Sequence, residues 1–367
     1  MNIEDIARLA GVSRSTVSRV VNDDPRVSAT VRERVRAVIA AEGYHPNAAA
    51  RALASRRSGV FGLIIPQTFG AIYNDPWFPI FIQGCLDGCR AADISLMLLM
   101  EPSNEPASVA RLIERFVSSR HVDGLIIASS LVDDVLVSRL HDRAFPYMLV
   151  GRDAHQRRNF VDIDNRGAAA RAVRHLMGHG RVRPAMIGGP ETAVAALDRR
   201  QGFLDAVADA GFDPAAVPVR PVAFSQRGAY REALTLLTSD DPPDAIFAAS
   251  DAMAIGVLQA ARHLNIRVPE QLGIMGFDGI EPDRIAQLEL STIRQPARDL
   301  GAVAAAKLDD LVHARAAEPV QIWLETDLQT RHSCGCQATT GPPGPLATGK
   351  RGVTAAAASG KAAITGA

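Results

Sequence analysis

Apolar residues change their spacing along this chain of 367 residues, and the changes divide it into parts. Ile3, Ile6, Ala7 and Ala10 fall on one face of a short helix that ends at Gly11. Gly11-Val12-Ser13 makes a turn, and Ser13 stands where it can cap a second helix over residues 14–22. Val17, Val20 and Val21 form the buried side of that helix. A third helix runs from Ser28 to about Glu42, with Val31, Val35, Val38 and Ile39 as its stripe. Two short helices joined by a three-residue turn containing glycine form a helix-turn-helix, so residues 1–44 read as a three-helix head.

From residue 59 the pattern alternates. Strand-like runs at 60–65, 94–100, 124–128, 147–150, 160–163, 184–187, 245–248 and 273–277 are separated by amphipathic helical segments such as 78–92, 167–177, 199–210 and 251–264. Short β-branched runs between helices predict βαβ units and parallel sheets. The halves near 59–152 and 160–290 are similar in length, which predicts two α/β lobes with a small-molecule cleft between them. The fold class is therefore α/β: a helix-turn-helix head, a linker over residues 45–58, and two lobes with parallel sheets over residues 59–333. Residues 337–367 are Gly, Pro, Ala and Thr with almost no large apolar side chain, so a disordered tail is expected there.

Composition narrows the class. Hydrophobic residues make up 47% and charged residues 22%, an ordinary globular balance that excludes a collagen-like chain, a disulfide scaffold and a wholly disordered polymer. No apolar run reaches the ~18 residues of a membrane span. The opening MNIEDIARLAG carries Glu4 and Asp5 and does not read as a secretory signal, and four cysteines suit a reducing compartment, so the cytoplasm is expected. The formal charge is zero, but it is unevenly spread. Residues 1–58 hold ten arginines against six acids, and residues 59–337 hold 27 basic against 34 acidic groups. A basic head on an acidic body fits a polyanion-binding module joined to something else.

The second helix of the head offers Arg14, Ser15, Thr16, Ser18 and Arg19. In a major groove Arg reads guanine edges, and Ser or Thr reads either base. A solvated surface hairpin would show the same spacing, but the head carries more than spacing. The blocks D-I-A-x-x-A-G-V-S-x-x-T-V-S-R-V-x-N at residues 5–22, Val27-Ser28, and G-Y-x-P-N-x-x-A-R-x-L at residues 43–53 resemble the head and hinge of the lactose/galactose repressor (LacI–GalR) family. VDGLIIASS, GHGRVRPAMIGGP, RRQGF, AASDAMAIG, GIMGFD and STIRQP continue the resemblance to about residue 333.

That resemblance implies a sequence-specific transcriptional regulator, a repressor, that binds a pseudo-palindromic double-stranded operator as a homodimer. Arg14, Ser15 and Arg19 match the family's base-reading positions, and Ser13, Thr16, Asn22 and Ser28 its phosphate contacts. Ser13 and Ser28 also suit N-caps, and the two roles are compatible. The hinge, Asn47–Ser55, favours helix but is too short to be stable alone in water. The family folds it on DNA and wedges a leucine, here Leu53, into the minor groove, with Asn47 and Arg51 in the same DNA-contacting segment.

For the body, the resemblance implies two lobes of the periplasmic sugar-binding type, crossed three times near residues 151–156, 285–295 and 318–324. Lobe 1 would take residues 59–152 and 294–320, and lobe 2 residues 155–290 and 322–333. Asp278 matches the acid that accepts sugar hydroxyls, Arg199 a cleft-facing Arg, Phe224 an aromatic platform and Arg152 a polar wall. Ser250 stands where many members have Asn, and Asp75, Trp77 and Phe78 lie in the loop before the first body helix. Carboxylates and Arg at the rim with an aromatic beneath suit a pyranose. A sugar is the expected effector, with a nucleobase or a protein co-regulator as the alternative. A sugar-binding protein without a DNA function is disfavoured by the head.

No cofactor and no metal are expected. Cys85 and Cys89 read as small buried apolar residues. His332, Cys334 and Cys336 form H-S-C-G-C, but no second ligand pair shows finger spacing. His175 and His179 are a helical i, i+4 pair read as packing or capping. There is no G-x-S-x-G, P-loop or H-E-x-x-H, and no carboxylate spacing that demands acid–base catalysis, so an enzyme is not expected.

Overall fold

The three stripes at the N-terminus become α1 (Ile3–Leu9), α2 (Arg14–Val21) and α3 (Ala29–Ala41), each within a residue or two of its expected bounds. Ile6, Ala7, Ala10, Val17, Val20 and Val35 close one small core between them, with Val31, Val38, Ile39 and Tyr44 leaning on it. Asn2 starts α1 with a capping box: its side chain accepts from the Glu4 and Asp5 amides, and its own amide donates to Asp5 Oδ2 at 3.1 Å. Gly11 turns the chain at φ +63°, a conformation that disfavours any side chain. This computed structural model describes residues 1–21, 24–44, 57–65, 72, 75–100, 104–128, 131–154, 158–279, 289–316 and 319–336. The expected hinge helix, with Asn47, Arg51 and Leu53, lies outside the described residues, as do Asn22 and the tail at 337–367.

Among the described residues the body has two six-stranded sheets. The first has the order β11-β5-β4-β3-β1-β2, built from β1 (Val60–Ile65), β2 (Ser95–Met100), β3 (Gly124–Ala128), β4 (Tyr147–Val150), β5 (Phe160–Ile163) and β11 (Gln321–Leu324). The second has the order β12-β10-β9-β8-β6-β7, built from β6 (Pro184–Gly188), β7 (Val219–Pro221), β8 (Ala245–Ala248), β9 (Gly273–Asp278), β10 (Ser291–Arg294) and β12 (Asp327–Gln329). Every strand pair is parallel except β10–β12. The central strands are buried along their whole length, as parallel sheets covered on both faces require.

The covering helices are α4 (Trp77–Ala91), α5 (Pro106–Leu112, continued by a wider turn over Ile113–Ser118), α6 (Val135–Asp142), α7 (Asn165–Met177), α8 (Val194–Asp209), α9 (Gln226–Leu237), α10 (Asp251–His263) and α11 (Ala297–Val312). In lobe 1, α4 and α11 meet backbone to backbone through glycines. A Cβ at Gly84 would lie 1.9 Å from the Arg298 carbonyl oxygen, and one at Gly301 would lie 2.3 Å from that of Phe81. Cys85 and Cys89 are buried on this face of α4, and burial pushes both thiols up, so they behave as the small apolar residues expected. Among the described residues no helix is long and apolar enough to cross a membrane.

The lobe boundaries differ from expectation. β5 pairs with β4 (Leu149 with Phe160, Val150 with Val161), so the polar stretch after β4 is an excursion within lobe 1 rather than a crossing. The crossing comes between β5 and α7, the second between β10 and α11, and the third between β11 and β12. Lobe 1 thus holds β5 and all of β11, while Arg294 and the rest of β10 belong to lobe 2. A polar run between apolar strands looks the same in sequence whichever sheet the next strand joins.

Candidate functional site

Two places gather the functional candidates, and they are built differently. In the head, Ser13 just before α2 and Arg14, Ser15 and Arg19 on it lie at the surface, with Thr16 half-buried behind them. Val17 and Val20 anchor the opposite face, so the exposed face is fixed in orientation. Ser13 Oγ accepts from the Thr16 amide at 3.1 Å and lies 2.8 Å from the hydroxyls of Ser15 and Thr16. The cap is real, and it leaves a cluster of three hydroxyls at the helix N-terminus, where phosphate oxygens are well received. Arg14 pairs with the exposed Glu4 at 3.5 Å, a contact that a duplex phosphate or base edge easily displaces. Ser28 occupies the N-cap position of α3 with extended backbone, but its hydroxyl makes no capping bond, contrary to the expected cap.

In the body, Arg199 on α8 is the centre. Its Nε donates to Asn165 Oδ1 at 2.9 Å, and its Nη1 donates to the Ala249 carbonyl at 2.6 Å and to Asp278 Oδ1 at 3.3 Å. Its guanidinium lies 3.7 Å over the Phe277 ring. Gln295 Nε2 donates to the same Asp278 oxygen at 2.6 Å. Asp278 ends β9 at φ +121°, and Gly279 follows at φ +65°; this strained corner aims the carboxylate back at Arg199. The Gly279 amide is tied to Asp251 Oδ2 at 2.7 Å, and Thr292 donates to Asp251 Oδ1 at 2.6 Å.

Burial raises the Asp278 carboxyl well above its usual range; Asp251 and Asp75 push the same way, while Arg199 and Gln295 oppose them. Burial also raises Asp75 and lowers Arg199. Asp75 belongs to lobe 1 and still acts on Arg199 of lobe 2, so the expected pair and the expected loop converge across the cleft. Asp278, Asp162, Asp75 and Asp251 all act on the one guanidinium. Acid exceeds base here, so the site favours a ligand rich in hydrogen-bond donors.

Not every candidate takes its expected role. Phe78 is a core residue, 7% exposed and edge-on to Trp77. Trp77 is half-buried and stacked on Phe81 at 4.9 Å. Its Nε1 is buried and has no hydrogen-bond partner among the described residues. Asp75 accepts from the Trp77 amide at 3.1 Å and stays in the loop, whereas Trp77 and Phe78, expected in that loop, form the first turn of α4 after Pro76. Arg152 is not an open wall of the cleft: it spans the lobes to Asp198 on α8 at 2.5 Å, and its amide donates to Asp162 at 2.8 Å. Phe224 covers the glycine after β6, since a Cβ on Gly189 would lie 2.4 Å from its ring. Ser250 caps α10 through the Met253 amide. The sequence reading missed Asn165, Gln295, Asp162, Asp198 and Asp251, all polar and paired at strand ends or helix starts.

Comparison with known proteins agrees with both halves. Residues 2–47 match the family model for bacterial regulatory proteins of the lacI family, and residues 173–334 match a periplasmic binding protein-like domain. The HTH-type transcriptional regulator CelR of Thermobifida fusca is 32% identical over 334 residues, covering 90% of this chain and 97% of CelR. A solved CelR–cellobiose complex superposes with a TM-score of 0.70 at 31% identity, covering 91% of this chain and 99% of that one. The Lac repressor dimer bound to operator and the anti-inducer ONPF superposes with a TM-score of 0.78 at 26% identity, with the same coverage of both chains.

Proposed function

The chain belongs to the lacI family of bacterial regulatory proteins, and from that premise we propose that it is a homodimeric, cytoplasmic repressor whose operator affinity is set by a neutral sugar bound between its lobes. The family is one of DNA-binding transcriptional regulators, so the chain is a regulator and not an enzyme. Base reading falls to Arg14, Ser15 and Arg19, and phosphate contact to Ser13, Thr16, Asn22 and Ser28. Asn47, Arg51 and Leu53 would engage the minor groove from the hinge. The cellobiose bound in the CelR structure supports a sugar as effector. The observation that carries this choice is the set of four carboxyl groups, Asp278, Asp162, Asp75 and Asp251, that act on the single Arg199 guanidinium. Sugar hydroxyls donate to the acids, and an aromatic face covers the pyranose. Phosphorylated sugars are disfavoured, because their charge would be added beside carboxyl groups whose ionisation burial already opposes. Leu86, Leu98 and Met100 are exposed apolar residues on α4 and the edge strand β2, and this face supports pairing of two lobes 1.

A sugar closing the cleft would move lobe 2 against lobe 1 and so change the separation of the two heads. The operator must then alter sugar affinity by the same factor. The test is a thermal-shift panel of cellobiose, other neutral sugars, sugar phosphates and nucleobases, followed by operator titration with any compound that stabilises the protein. A neutral sugar that raises the melting temperature and shifts operator affinity supports the reading. Stabilisation by a nucleobase or a sugar phosphate alone overturns it.

A further inference from the structure

Away from the cleft, two segments that the sequence leaves far apart come together at the far end of α7. His175 is in the last turn of that helix, and His179 follows its Gly178 cap. Cys334 closes a short 3-10 turn after β12, and Cys336 is two residues on. His175 Nε2 lies 3.4 Å from each of His179 Nε2, Cys334 Sγ and Cys336 Sγ, and Cys336 Sγ lies 3.4 Å from His179 Nε2. All four atoms lie within 4.8 Å of one another.

Hydrogen bonding alone does not account for this convergence. A neutral imidazole nitrogen offers either one N–H or one lone pair, yet His175 Nε2 faces three atoms at the same distance. The four atoms point at a common centre instead. A tetrahedral Zn²⁺ with bonds of about 2.0–2.1 Å to nitrogen and 2.3 Å to sulfur sets its ligand atoms about 3.3–3.8 Å apart; the four separations of 3.4 Å fall in that range, and the remaining pairs lie within 4.8 Å. We propose that His175, His179, Cys334 and Cys336 bind one zinc ion in a closed Cys2His2 site that clamps the C-terminal segment of lobe 2 to α7.

The backbone around the site is prepared for this. Gly335 takes φ +108°, which turns Cys336 back beside Cys334, and a Cβ there would crowd His179 Nδ1 at 3.3 Å. Ser333 Oγ donates to the Ile274 carbonyl and accepts from the Ser291 amide, each at 2.8 Å, so Cys334 is held before any ion arrives. The spacing of the cysteines alone hides the site, because its histidines come from a helix some 155 residues earlier in the chain. The ten-residue rise along α7 puts the ion about 15 Å from Asn165 and the cleft. With four protein ligands and no open position, its role is structural rather than catalytic.

The test uses the untagged full chain, equilibrated with zinc sulfate, dialysed against metal-free buffer and analysed by inductively coupled plasma mass spectrometry. Wild type should retain about one zinc per chain. His179→Ala, at an exposed position, and Cys336→Ser, at a half-buried one, should lose it and melt at lower temperature, while the distant His141→Ala should keep it. Cobalt titration of wild type should give the visible bands of a tetrahedral cobalt thiolate. Wild type free of stoichiometric zinc, zinc retained by both variants, or cobalt without thiolate bands would each overturn the site. Operator binding is read separately and does not bear on it.

Discussion

In the head, Arg14 and Arg19 stand at the surface, held by the helix they ride on and by little else. In the cleft, Arg199 is 6% exposed and gripped by Asn165, Ala249, Asp278 and the Phe277 ring. On the proposed function the same side chain does opposite work in the two places. A base-reading Arg must give up water easily and meet any register of duplex, so exposure serves it. A ligand-sensing Arg must be fixed before the ligand arrives, so that a small molecule changes which lobe arrangement is favoured. One consequence is that head substitutions act on affinity with little effect on folding, whereas cleft substitutions act on both.

Asp278→Ala should give the largest effect. It leaves the Arg199 charge and the Gln295 amide without their carboxylate partner, and should lower unfolding free energy by about 3 kcal/mol while abolishing the sugar response. Denaturant titration reads the first and operator titration with ligand the second; a variant of unchanged stability that still responds would place the pocket elsewhere. Arg19→Ala should leave the melting temperature alone but weaken the cognate operator by about 1–3 kcal/mol and relax preference at one base pair. A loss equal across all sequences would make Arg19 a phosphate contact instead.

The third effect separates the regions by pH. Burial holds the Asp162 carboxyl at about 6, with Asp198 adding to the shift and the Arg152 and Ile163 amides opposing it. An unfolded aspartate titrates near 3.8, so between these values the folded chain binds the proton and the unfolded chain does not. Lowering the pH from 7 to 5 should therefore stabilise wild type relative to Asp162→Asn by about 1 kcal/mol, a gain lost again as pH rises through 6. A stability difference that stays flat with pH would show that Asp162 is ionised throughout. The smallest effect belongs to Ser28→Ala. With no capping bond to lose, the head should keep its stability to within about 0.5 kcal/mol, and operator affinity should fall evenly across sequences. A drop in head stability would mean that the Ser28 hydroxyl caps α3 in solution.

The contrast between the regions also explains what could be read in the chain. The head was legible because its function is local: a valine stripe fixes α2, and the residues that face outward follow from the same period. Five of the eight expected strand segments, 60–65, 124–128, 147–150, 160–163 and 245–248, match β1, β3, β4, β5 and β8 residue for residue, because buried parallel strands are short continuous apolar runs. The strands β7, β10, β11 and β12 were not, since VRP, STIR, QIWL and DLQ carry polar residues at sheet edges or beside buried polar networks. The cleft was half legible. Asp278, Arg199 and Gln295 lie in the recognisable blocks GIMGFD, RRQGF and STIRQP, but the block gave Gln295 no role, and Asn165 comes from the first crossing, whose place depends on which sheet each strand joins. Tertiary pairing decides that, and it decides the roles of Arg152 and Phe78 as well.

The central claim is that an exposed α2 reads a defined duplex while a buried cleft controls it. Selection of duplexes from a random-sequence pool by the full-length protein, sequenced after several rounds, tests this most directly. The account predicts enrichment of two inverted half-sites, with Arg19→Ala changing the consensus at one symmetric position in each half. A pool that stays random, or the same consensus recovered by the variant, would contradict it.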